Sequence, residues 1–124
     1  MTEYKSFEEM PVWQKAHKLA VEIFHVSEHF PRKEDYGLTS QLRRAALSIS
    51  ANIAEAFGRF HYKDKLNFYY NSRGSAHETK SHLLYARDVG YIDVSIHDAL
   101  DHKLSEVLLE LNSVISTLRR NLKS

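Results

Sequence analysis

A chain of 124 residues and 14.4 kDa, with 43% hydrophobic and 27% charged residues, has the makeup of one ordinary soluble domain spanning residues 1–124. A domain of this size buries about two thirds of the surface that its unfolded form exposes. Its net charge of +1 argues against a strong global pull on nucleic acid, no apolar run reaches the roughly 18 residues of a membrane span, and the absence of cysteine excludes disulfides and thiolate metal sites.

The periodicity predicts an all-α fold, an antiparallel up-and-down four-helix bundle. Helix one is expected from Pro11 to Phe30, with Pro11 at a first helical position that needs no N–H. Val12, Ala16, Leu19, Ile23, Val26 and Phe30 line its inner face, broadened by Trp13, Ala20 and Phe24, and Pro31 stops it. The polar segment RKEDYG, residues 32–37, connects to helix two.

Helix two, residues 38–58, carries the most informative pattern in the chain. Leu38, Leu42, Ala45, Ala46, Ile49, Ile53 and Phe57 form one apolar stripe. Leu47, Ala51 and Ala54 form a second, nearly opposite, where a surface helix is normally polar. One stripe suffices for a bundle core, so the second predicts contact with another subunit through Leu47, Ala51 and Ala54. Thr39 or Ser40 is the expected N-cap, and Gly58 the expected left-handed C-terminal residue.

Helix three is expected from Tyr62 to Asp88, ending at Gly90. Its stripe of Phe68, Ser72, Ser75, Ala76, Thr79, Leu83 and Ala86 is small enough for another backbone to approach closely. Gly74, beside that stripe, costs about 1 kcal/mol of helix propensity relative to Ala, which tight packing would offset. Helix four opens near Ser95, with Asp98 completing a loose capping box. Ile96, Leu100, Leu104, Val107, Leu108, Leu111, Val114, Ile115, Leu118 and Leu122 then keep a near-heptad rhythm.

Charge is unevenly spread. Residues 1–37 and 93–124 carry −2 and −1, whereas residues 38–92 carry +4. Copies arranged around an axis would multiply that central excess. On helix three, Tyr62, Leu66, Tyr69, Tyr70, Arg73, His77 and Lys80 gather rings and cations on one side. Rings stack on bases and cations meet phosphates, so Tyr69, Tyr70, Arg73 and Lys80 are candidate RNA or DNA contacts, with Arg43, Arg44, Arg59, Lys63 and Lys65 nearby. Tyr and Arg are equally enriched in protein–protein interfaces, so the same residues fit a protein partner. Arg43 lies on the flank of Leu47 and Ala54, where it could pair with a carboxylate of another copy, and Arg44 points about 100° away, toward the side of Glu55.

Catalytic signatures do not emerge. There is no cysteine nucleophile, glycine-rich phosphate loop or nucleophile elbow. His77-Glu78 begins like a zinc-protease motif, but the next histidine, His82, is displaced by about 140° around the helix. His25, His29 and Glu22 share a face that could hold a divalent ion, although a solvated outer face explains them as well. No cofactor or metal is expected, and the chain reads as non-enzymatic. The N-terminal MTEYKSFEEMP lacks the apolar core of a signal peptide, and the lack of cysteine suits a reducing cytoplasm.

SQLRRAALSISANIAEAFGR at residues 40–59, SRGSAHE at 72–78 and GYI at 90–92 resemble the characteristic segments of a bacterial four-helix-bundle family. It includes 23S rRNA intervening-sequence proteins and the accessory variability proteins of diversity-generating retroelements. The likeness spans most of the chain, from FEEMPVWQKAHKLA onward, with Ser50 where Pro is common and Ala56 where Gly is common. The resemblance implies a short bundle that assembles into a homopentameric barrel. In the retroelement branch, the barrel is a basic partner of reverse transcriptase and nucleic acid. Two readings follow: a homo-oligomer that contacts RNA or DNA, and a protein-interaction scaffold without nucleic-acid contact.

Overall fold

The computed structural model describes residues 3–123 and contains, among them, four α-helices and no strand. They are α1 (Pro11–Ser27), α2 (Leu38–Phe57), α3 (Tyr62–Asp88) and α4 (Val94–Lys123), with 3₁₀ turns at Phe7–Glu9 and Arg32–Glu34. Each helix packs against its neighbours in sequence, and α4 closes back on α1. This is an antiparallel up-and-down four-helix bundle.

The inner stripes meet on its axis. Leu19 and Ile23 of α1, Leu42, Ile49 and Ile53 of α2, Leu83 of α3, and Leu104, Val107 and Leu111 of α4 are all essentially inaccessible to water. Burying each such side chain contributes roughly 1.5–3 kcal/mol, which makes this cluster the main source of stability. The small stripe of α3 lies against α2, with Ser72, Ala76, Thr79 and Ala86 fully buried. The small side chains leave room for polar rungs. Ser72 Oγ donates to the Ile49 carbonyl at 2.8 Å, and Ser75 Oγ meets Ser48 Oγ at 2.9 Å.

Several helix ends differ from the sequence expectation. α1 stops at Ser27 rather than Phe30, because Glu28, His29 and Phe30 tighten into bonds with the carbonyls of His25, Val26 and Ser27. Phe30 is buried all the same. Neither Thr39 nor Ser40 caps α2: the N-cap is Gly37, and Glu34 Oε1 reaches forward to accept the Leu38 N–H at 3.3 Å. Gly58 is right-handed, with φ −76°, because the α2 carbonyls find another partner in Lys65. Gly90, with φ +85°, is the left-handed glycine that ends α3 as expected.

Helix four begins at Val94, and Asp93, rather than Ser95, supplies the cap by accepting the Ile96 N–H at 2.8 Å. Asp98 instead meets Nδ1 of His97 at 3.0 Å. One residue of register separates expectation from fact here, since His97 is buried and Ile96 exposed. Gly74 sits at no close approach. A Cβ built there would meet nothing within 4 Å, so the packing between α2 and α3 does not require this glycine.

Candidate functional site

The α1–α2 side of the bundle leaves apolar surface in water. Val21 is 44% exposed, Phe24 46% and Leu47 60%. An apolar groove of about 260 Å³ runs between them, lined also by His17, Ala20 and Arg43. Ala51, one turn beyond Leu47, is exposed, and Ala54 is half-buried. The second stripe of α2 thus continues across onto α1.

Arg43 borders this face and is held by contacts within the chain. Its Nε donates to Ser27 Oγ at 2.8 Å, its Nη2 to the Phe24 carbonyl at 3.3 Å, and its guanidinium lies 4.2 Å from the Phe24 ring centroid. A cation beside the last turn of α1 also complements that helix's dipole. Arg43 therefore fixes Phe24 at the edge of the groove.

The other candidate contacts divide into committed and open groups. Arg59 pairs with Glu55 at 3.3 Å and lies over the Phe68 ring at 4.6 Å. Lys65 Nζ donates to the carbonyls of Ala56 and Phe57 at 3.1 and 3.2 Å, capping α2, and partial burial lowers its pKa. Arg73 reaches Asn112 at 3.0 Å and stacks on Tyr70, whose ring packs partly against the core. Lys80 bridges to Asp101 at 3.1 Å. The row read on helix three is largely the seam with α4. Arg44 and Lys63 are exposed.

Tyr69 belongs to the core, and burial pushes its pKa up to about 12. An unfolded tyrosine ionises near pH 10. Between about pH 10 and 12 the unfolded chain therefore gives up a proton that the folded chain keeps, and stability falls as pH rises through that window. The difference is worth roughly 2–3 kcal/mol. Urea unfolding of Tyr69→Phe across this range should lack that share of the loss. An unchanged alkaline slope would contradict the assignment of the slope to this side chain.

The remaining titratable groups do not converge. Glu22 binds Lys103 through both oxygens at 2.7 Å, while His25 turns to Glu28 at 3.0 Å, so the face shared with His29 is divided among separate pairs. His82 lies 3.8 Å from Glu78. Among the described residues no three His, Asp or Glu side chains gather as a metal would require. Also among them, no helix is long and apolar enough to cross a membrane.

Sequence periodicity missed Phe60, which lies between helices and is 88% exposed. It begins the run Phe60-His61-Tyr62-Lys63, which lines a groove of about 700 Å³ together with Leu122 from the end of α4. The signal was present as a loop aromatic flanked by basic residues, outside any helical stripe.

The fold and its surfaces define a helical-bundle protein with an exposed apolar flank along α1 and α2. The chain belongs to the 23S rRNA-intervening sequence protein family, whose profile matches residues 8–113. It is similar to a protein of unknown function from the S23 ribosomal protein family of Bacteroides thetaiotaomicron VPI-5482, known from a crystal structure at 1.70 Å. The two share 25% identity and a TM-score of 0.79, over 84% of this chain and 97% of the other. No curated protein matches the chain.

Proposed function

We propose that this protein is a non-enzymatic, self-assembling bundle whose copies meet through the α1–α2 face and which contacts nucleic acid as an accessory factor. The observation that carries the reading is the exposed set of Val21, Phe24 and Leu47, continuous with Ala51. These four neighbouring apolar side chains leave much of their surface in water on one flank, and covering them would remove it. A heterologous contact closes into a ring where its rotation returns the last copy to the first. The family resemblance supports a ring of five, and supports RNA or DNA, or a reverse transcriptase in a retroelement setting, as its partner.

Nucleic-acid contact is supported by the +4 charge of residues 38–92 and by the exposed Arg44 and Lys63. A scaffold that recruits another protein is the second reading. It is favoured by the engagement of Arg43, Arg59, Lys65, Arg73 and Lys80 inside the subunit.

The chain has no cysteine, so Leu47→Cys introduces a single thiol on the proposed contact. It should react with a maleimide many-fold more slowly than Leu109→Cys, placed on the outer face of α4, where Leu109 is 72% exposed. Equal reaction rates would contradict coverage of the α1–α2 face.

A further inference from the structure

We propose that the connection between α2 and α3, Arg59 to Lys63, is a stacking platform for single-stranded nucleic acid. The inference deepens the nucleic-acid clause above and rests on it.

Phe60 is almost fully in water, and Tyr62 is exposed two residues later. Neither position is explained by the core. The rings of Phe57, Phe68 and Tyr70, by contrast, pack against the buried cluster. An exposed aromatic ring needs a flat apolar partner to gain from its position, and an unpaired base presents one. Phe60 follows Arg59, and Lys63 follows Tyr62, so cations flank the pair of rings. Tyr36, another ring left in water, instead follows Glu34 and Asp35, whose charge disfavours phosphate.

The platform is set in place before any ligand arrives. Arg59 is fixed by Glu55 and the Phe68 ring, and Lys65 ties the carbonyls of Ala56 and Phe57 on the other side. Phe60 and His61 meet edge to face, with centroids 5.1 Å apart at 89°. The groove along these residues reaches Leu122, and Arg119 and Arg120 are exposed on the turn before it. Rings that accept bases and cations that meet the backbone therefore share one end of the bundle. Half-buried Asp64 is the acid nearest in sequence, in the first turn of α3. A single strand offers bases to the rings and phosphates to the cations.

The test is fluorescence anisotropy with a labelled oligouridylate at low salt, with light scattering on the same samples. The wild type should bind, and Phe60→Ala with Tyr62→Ala should weaken binding by about tenfold or more at unchanged mass. Lys63→Gln should lower the slope of log K against log salt by about 0.7. A double variant that binds as well as the wild type would overturn this site while leaving the nucleic-acid reading intact. Absence of wild-type binding would remove both. Loss of mass together with binding would assign the rings to a contact between copies, and equal competition by an RNA duplex would contradict base stacking.

Discussion

Ala51→Glu should convert the proposed assembly into folded single subunits. Ala51 is exposed within the subunit and lies one turn from Leu47, so a longer side chain there meets no core atoms. Glu is also a good helix former, and the helix itself loses little. In a covered contact the same carboxylate would be taken out of water without a partner, at a cost of several kcal/mol for each interface. Every interface of a ring contains that position, so the penalty recurs around it. Size-exclusion chromatography with light scattering should show the mass collapse toward 14.4 kDa, while far-UV circular dichroism keeps its helical signal. A variant that holds the wild-type mass at equal concentration would place the contact elsewhere.

Leu104→Ala should be among the most damaging single truncations on α4. Leu104 is completely buried in the cluster that joins all four helices. Removing its outer carbons leaves a cavity that a close-packed interior fills only in part, at about 2–5 kcal/mol. That is a large share of the roughly 5–15 kcal/mol that holds a domain together. A shift in Tm of about 10 °C or more should follow. Leu109→Ala, five residues on but 72% exposed, should stay within about 0.5 kcal/mol of the wild type. Comparable losses in thermal melts of the two variants would contradict the register of α4.

Periodicity located the core well. The inner stripe of α2 is buried from Leu38 to Ile53, with Phe57 only partly covered, and the span of α3 from Tyr62 to Asp88 agrees at both ends. These elements were legible because burial repeats with the helical turn over many residues. Features set by a single distant partner were not. Lys65 caps carbonyls eight and nine residues earlier, and Arg43 stacks on a ring from the preceding helix. Nothing in the spacing of either residue signals that engagement. At the start of α4 the heptad rhythm pointed inward with Ile96, whereas the Asp93 cap sets a phase that buries His97.

The candidate site divides along the same line. A stripe identifies which residues share a side of a helix, but not whether that side meets solvent, a neighbouring helix or another molecule. Tyr69 and Arg73 share the row read on helix three, yet one faces the core and the other spans the seam to Asn112. The second stripe of α2 lies outside the core, since α2 packs against α1 and α3 and the opposite side of the helix meets neither. Phe60 escaped because a loop has no period to break.

Sedimentation velocity on the wild-type protein at micromolar concentration decides whether another copy of the same chain covers the apolar flank of α1 and α2. A single species at a whole multiple of 14.4 kDa is the predicted result. A well-folded 14.4 kDa monomer as the dominant species would contradict it.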